Sequence, residues 1–247
     1  MKEMELTALC TLNMGQSPES STYNEQGNGL PFFQGNADFG EIHPTVRVWC
    51  SAPTKIANAG DILISVRAPI GAMNIAEERC CIGRGLAALT PNLDMCTQQY
   101  LYYALQSRVD GLIAQGTGST FKAISKKVLE QTLIPVYSFD EQLKIVKRLE
   151  KVEQIISFRK KQLATLDELV KARFVEMFGD TVLNPFGWEK EALGLLCDVR
   201  DGTHDSPKYY ETGFPLVTSK NVTGGKIDLS GCSMISEEDY KKNQYSL

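Results

Sequence analysis

From Ser138 the chain runs to Phe178 without a proline or a glycine. No other stretch limits the fold as much, because the two residues that interrupt helices are both missing. Ser138 precedes Glu141 by three positions, the spacing of a capping box. Leu143, Val146, Leu149, Val152, Ile156, Leu163, Leu166, Val170, Phe174 and Met177 then recur at spacings of three, four and seven. This pattern predicts one helix of about 60 Å carrying a single apolar stripe. Lys144, Lys147, Arg148, Lys151, Arg159, Lys160 and Lys161 lie off the stripe. A helix this long needs a partner for its greasy face, either in a coiled coil or in its own domain.

The helix separates two stretches that resemble each other. Leu9-Cys10 is followed by Gly15, and Leu196-Cys197 by Gly202 at the same interval. Downstream, GLPFFQGNADFG (29–40) lines up with GFPLVTSKNVTGG (213–225), with Ser17-Pro18 and Ser206-Pro207 in the intervening loops. Two anchors in one order indicate an internal repeat. Nothing after 225 matches GDILISVRAPIG (60–71), so the sequence holds one complete unit and the first part of another.

Before the helix, short apolar runs at Thr45–Trp49, Ile62–Val66, Met73–Ile75 and Gly85–Leu89 read as strands between Gly, Pro and Asn turns. Helices are expected at Thr97–Ala114 and Ser125–Gln131, and a strand leads from there into the long helix. The fold class is α+β: a β-rich mixed domain over 1–137, a long helix over 138–180, and a partial second domain over 187–247.

Composition excludes several functions. Seven cysteines contain no C-x-x-C pair, which disfavours a zinc ribbon and a disulfide framework; most read as small buried hydrophobes. His43 and His204 are isolated, so no metal site and no His-based triad is expected. Asn184-Pro185-Phe186 lacks the second proline of an amino-methylating turn and fits a helix stop instead. Gly116-Thr117-Gly118-Ser119-Thr120 lacks the Gly-Lys-Ser/Thr of a Walker loop. In 140–144, DEQLK has carboxylates and a lysine that helix capping accounts for. No nucleophile has an evident base, and the chain reads as non-catalytic. No apolar run is long enough to span a membrane and the start lacks a signal-peptide core, so a cytoplasmic location is expected. The net charge is −4, and residues 1–137 alone carry 10 basic and 12 acidic groups, so any contact with nucleic acid would have to come from a local face or a partner.

Several motifs occur in one family order: GDILISVRAPIG…CIGRGLAAL (60–71, 81–89), GTGSTFKAIS (116–125), IPVYSFDEQLKIVKRLE (134–150) and NPFGWE (184–189). In this the chain resembles the specificity subunit of type I DNA restriction–modification systems, over almost its whole length. The resemblance implies a target-recognition domain that reads half of a bipartite site in double-stranded DNA, and a spacer helix that docks modification subunits. Those partners would bind S-adenosylmethionine and methylate adenine, and a restriction subunit would add cleavage. No cofactor is expected in this chain. The family has a second spacer helix that this sequence does not include, so the resemblance implies either a homodimer pairing two 138–178 helices antiparallel, or a truncated remnant or regulator that binds modification subunits without directing them.

Within that reading the candidate DNA-binding residues are Gln16, Ser17, Tyr23, Asn24, Gln34, Asn36, Arg67, Arg84, Thr117, Ser119, Thr120 and Lys122. Gln34 and Asn36 match the adenine edge, and Arg67 fits guanine or a phosphate. The 116–122 stretch offers hydroxyls, backbone N–H groups and a lysine to phosphate oxygens. Each also has a plainer role: Arg67 pairing with Asp61, Arg84 bracing the core, and both polar loops serving as solvent-facing turns. The helix-pairing set is Leu143, Val146, Leu149, Val152, Ile156, Leu163, Leu166, Val170 and Phe174.

Overall fold

The computed structural model describes residues 2–118, 122–199 and 207–244, and the chain divides into two compact units, 1–167 and 168–247. The first unit begins with β1 (Lys2–Glu5), α1 (Leu6–Leu9), β2 (Cys10–Met14), β3 (Tyr23–Asn24), β4 (Leu30–Phe33), β5 (Trp49–Cys50) and β6 (Ile56–Ala57). It continues with β7 (Ile62–Ser65), β8 (Met73–Ile75), β9 (Cys80–Ile82) and β10 (Leu86–Pro91). Then come α2 (Gln98–Gln106), α3 (Val109–Ala114), α4 (Lys126–Glu130), β11 (Leu133–Val136) and α5 (Phe139–Phe178), which crosses the unit boundary.

Two larger sheets form, a four-stranded one in the order β2-β10-β7-β8 and a five-stranded one in the order β3-β5-β4-β9-β6, while β1 pairs with β11. The central strands are buried on both faces. Along β7, Ile62 and Ile64 enter one core with Leu89, Leu101, Leu105 and Leu129, while Leu63 enters a second core with Phe33, Ile82 and Leu86. Strand geometry sends alternate side chains to opposite faces, so a strand covered on both sides needs the unbroken apolar run Ile-Leu-Ile. Five of the seven cysteines are buried as expected, and burial pushes the Cys10 and Cys80 thiols up to about 12.

Three expectations about elements need correction. The helix read over Thr97–Ala114 is two helices, broken at Ser107-Arg108, with Thr97 Oγ1 capping the first by accepting from Tyr100 N–H. The strand read over Thr45–Trp49 shrinks to Trp49–Cys50. Val46 and Val48 do alternate, into different cores, but the stretch has little ladder beyond Phe32 N–H donating to the Val48 carbonyl at 2.8 Å. Val146, assigned to helix pairing, is 7% exposed and packed in the domain's own core.

The root of α5 shows why Val146 turns inward. Glu141 accepts hydrogen bonds from both Ser138 N–H and Ser138 Oγ–H, which holds its carboxyl below the usual range. One residue on, Gln142 is fully buried, accepts from Thr97 N–H and donates to the carbonyls of Met95 and Tyr137, each at 3.0 Å. The first turns of the helix are therefore keyed to the head. By contrast Leu143, Leu149, Val152, Ile156, Leu163, Leu166, Val170 and Phe174 are all at least 38% exposed, an uncovered stripe.

The second unit contains α6 (Leu193–Leu196), β12 (Phe214–Leu216), β13 (Val222–Thr223), β14 (Lys226–Ile227), β15 (Ser233–Ile235) and α7 (Glu237–Gln244). It reproduces the start of the first. Both α1 and α6 are four-residue helices that end in an extended cysteine, and Cys10 Sγ and Cys197 Sγ donate back to the carbonyls of Leu6 and Leu193. Leu30 pairs with Cys50 and Phe214 with Ile235, each behind a glycine at positive φ, Gly29 or Gly213. The repeat read from sequence is thus a repeat of structure; Gly202, His204 and Ser206 lie outside the described residues. At the helix end, Gly179 takes a left-handed conformation and Trp188 Nε1–H donates to the Phe178 carbonyl at 2.8 Å. Asn184 ties Trp188 N–H and its carbonyl into a turn of its own, and the stop expected of Asn184-Pro185-Phe186 falls earlier, at Phe178 and Gly179.

Candidate nucleic-acid interface

Strand directions gather seven of the candidate residues on one rim of the first unit. β2 runs out at Met14, opposite Ala87 near the start of its antiparallel neighbour β10, and β7 runs out at Ser65, opposite Leu86. β4 and β9 are parallel and end together at Phe33 and Ile82. The segments that follow β2, β4, β7 and β9 therefore emerge side by side, with Arg84 entering β10 between them. Backbone hydrogen bonds stitch them together. Gln16 N–H donates to the Ile82 carbonyl at 3.0 Å, Gly83 N–H to Phe33 at 2.8 Å, and Val66 N–H to Gly85 at 2.9 Å. Ala68 N–H reaches the Lys122 carbonyl at 3.0 Å, and Ala123 bridges both Arg67 and Thr117. Gln16, Ser17, Gln34, Arg67, Arg84, Thr117 and Lys122 thus share this rim.

Glycines make the crowding possible. A side chain on Gly15 would run into the Gly83 carbonyl, and one on Gly85 into the Gln34 carbonyl, both rigid backbone. Only glycine lets these loops lie on one another. Ser17 Oγ accepts from Arg84 N–H at 3.3 Å, leaving the exposed guanidinium free of that contact.

The pairing of Arg67 with Asp61 does not form. Asp61 is buried and accepts from Asn58 N–H at 2.8 Å, whereas Arg67 is exposed. Among the described residues neither Arg67, Arg84 nor Lys122 makes an ion pair. Lys55, absent from the sequence reading, joins them: its carbonyl accepts from Ile82 N–H, and the neighbouring Thr54 Oγ1 donates to the Gln16 carbonyl at 2.8 Å. Four cations that make no ion pair among the described residues give this rim a local positive face in a unit whose basic and acidic groups balance, which is what attraction to phosphates requires.

Two candidates leave the set. The Tyr23 hydroxyl donates to the Pro18 carbonyl at 2.9 Å, and its ring stacks on Phe32 at 4.6 Å. Asn24 accepts from Gln26 and Asn28 N–H and donates to the Asn28 carbonyl, organising its own turn. Their polar groups are consumed locally, as turn asparagines commonly are. Asn36 opens a short 3₁₀ turn (Asn36–Asp38) that Gly35 separates from Gln34. Ser119 and Thr120 lie outside the described residues.

The described residues contain no group of His, Cys, Asp and Glu able to hold a metal ion, and no helix long and apolar enough to cross a membrane. The first unit is thus an α+β domain with a rim of loops at one end of its sheets, leading into a long helix. The family model described as "Type I restriction modification DNA specificity domain" matches residues 1–168, and the chain belongs to this family.

Among curated proteins the chain is similar to the MjaX type I restriction enzyme specificity subunit of Methanocaldococcus jannaschii, 42% identical over 158 residues, covering 64% of this chain and 37% of that protein. The MjaIX specificity subunit of the same organism is 28% identical over 230 residues, covering 84% and 53%. Among solved structures, the HsdS subunit from Thermoanaerobacter tengcongensis is 46% identical at a TM-score of 0.61, with 72% of this chain and 44% of that one covered. A chain from a structure of type I R-M complex assembly is 48% identical at a TM-score of 0.63, covering 69% and 43%. The sequence thus spans about half or less of the length of these relatives.

Proposed function

We propose that the chain is the DNA-reading, non-catalytic component of a type I restriction–modification complex, its rim reading a half-site in double-stranded DNA. The observation that carries this is the convergence of Gln16, Gln34, Lys55, Arg67, Arg84 and Lys122 at one end of the sheets. Phosphate contacts fix a protein's register on the duplex, and base-edge contacts select the sequence. The four cations supply the first kind of contact, and the exposed amides of Gln16 and Gln34 the second. Methylation of adenine and the S-adenosylmethionine it needs then belong to modification subunits docked on α5, and cleavage to a restriction subunit. The exposed stripe of α5 is matched by a second copy of itself, antiparallel, which would present two identical heads to inverted half-sites.

Two substitutions separate the roles within this reading. With modification subunit present, Gln34→Ala is expected to lose about 1–3 kcal/mol of discrimination at one base position while leaving scrambled duplex equally bound. Lys122→Ala is expected to weaken all duplexes alike and to lower the slope of log affinity against log salt by about one. Fluorescence anisotropy on target and scrambled duplexes at several salt concentrations reads both. A Gln34→Ala protein with unchanged preference removes this residue from the reading surface.

A further inference from the structure

We propose that Asp38 and Arg47 form a clamp that fixes the backbone of the reading loop at Gln34–Asn36, which makes Asp38 a positioning residue for base selection. The inference rests on the DNA-reading role given to that loop above.

One carboxylate holds the loop from both ends. Asp38 Oδ2 accepts the N–H of Gln34 at 2.7 Å and that of Gly35 at 3.3 Å. Its Oδ1 takes Arg47 Nη2 at 2.5 Å, and the same guanidinium nitrogen donates to the Ala37 carbonyl at 2.7 Å. The two residues thereby contact Gln34, Gly35 and Ala37, and a third tie, Thr45 N–H donating to the Asp38 carbonyl at 2.8 Å, anchors the turn to the chain leading into β5. The carboxylate side chain is only 16% exposed, while Arg47 is 57% exposed. Charge-assisted hydrogen bonds in a partly sheltered site are stronger and more directional than neutral ones.

The other side of the loop is equally fixed. A Cβ on Gly83 would lie 3.0 Å from Gln34 Cα, and one on Gly85 would meet the Gln34 carbonyl, so the loop rests on the backbone beside Arg84. Pinned from above by Asp38 and floored from below by the two glycines, Gln34 keeps freedom only in its side-chain torsions. A base-reading amide needs that arrangement, because a bidentate pair with a base edge tolerates little displacement.

The pin recurs in the repeat. In the second unit Asn221 Oδ1 accepts from Thr218 N–H at 3.0 Å and from Thr218 Oγ–H at 2.9 Å, at the matching 3₁₀ turn after β12. There a neutral amide suffices to cap the turn. The charge at Asp38 is therefore surplus to turn formation, and Arg47 is what it engages.

The test uses the full chain with its modification subunit, reading methylation rates on the target duplex, on single-base variants of it and on scrambled DNA. Asp38→Ala is expected to lower discrimination about tenfold at the base positions served by Gln34 and Asn36, with scrambled-duplex affinity, salt slope and melting temperature close to wild type. Asp38→Asn, which keeps an acceptor for Gln34 N–H, is expected to recover part of that loss. Arg47→Ala, on an exposed side chain, is expected to reproduce it in part and covers the case in which Asp38→Ala does not fold. Discrimination unchanged in folded variants, or lost evenly at every base and on scrambled DNA, overturns the clamp. A wild-type complex with no base preference at all removes the DNA-reading assignment itself, and the clamp with it.

Discussion

Gln142→Ala is expected to cost the first unit about 3 kcal/mol or more in urea denaturation. The side chain is fully buried at the root of α5 and satisfies three backbone groups, Thr97 N–H and the carbonyls of Met95 and Tyr137. Deleting it removes the side-chain partner of all three in a partly buried site, at about 1–3 kcal/mol for each bond lost. It also opens a cavity one helical turn before Val146, a member of the main core. The loss has a functional side, since this residue ties the helix that carries the head to the loop before α2. Gln142→Glu is expected to fare no better, because a carboxylate cannot donate to Met95 and Tyr137 and its charge would be buried. A Gln142→Ala protein within about 0.5 kcal/mol of wild type would show that this key is incidental.

The second large effect concerns the stripe. Leu163 and Leu166 are 63% and 55% exposed, in the middle of α5 and away from the head. If two copies pair antiparallel, both leucines lie near the centre of the seam, and each contributes about 2 kcal/mol of burial. Replacing both by glutamate removes this from two chains at once and sets like charges against each other. Dimerisation is expected to weaken by more than a thousandfold, roughly the effect of 4 kcal/mol or more. Sedimentation at micromolar concentration is expected to show a dimer for the wild-type chain and a monomer for Leu163→Glu/Leu166→Glu, with the folded head unchanged. A wild-type monomer at that concentration rules out the homodimer.

Much of this could be read from residues alone, for identifiable reasons. Signals confined to one element survived: the proline-free helix, the Ser138 cap, the apolar run of β7, and the bounds of β8. Signals that depend on a distant partner did not. Val146 has the spacing of the stripe, and spacing cannot tell a seam from the helix's own core. Gln142 reads as a surface residue until Thr97, Met95 and Tyr137 surround it. The break at Ser107-Arg108 has neither proline nor glycine to announce it.

The rim follows the same rule. Gln16, Gln34, Arg67 and Arg84 could be named from turn chemistry, but their convergence follows from strand order and register. Lys55 was missed because it sits in a plain connection between short strands, and only the pairing of β6 with β9 brings it to the rim. Tyr23 and Asn24 looked available because polar side chains in a loop reveal nothing of the bonds they make locally. Arg47, far from Gln34 in the chain, showed no sign of its clamp in the sequence.

The most direct trial of the account is to coexpress the chain with its modification subunit in cells free of adenine methylation and to map methyladenine across the genome. The account predicts methylation confined to one sequence motif, with that motif loosened at one position of each half-site by Gln34→Ala. Methylation scattered without regard to sequence, in the presence of an assembled complex, would contradict it.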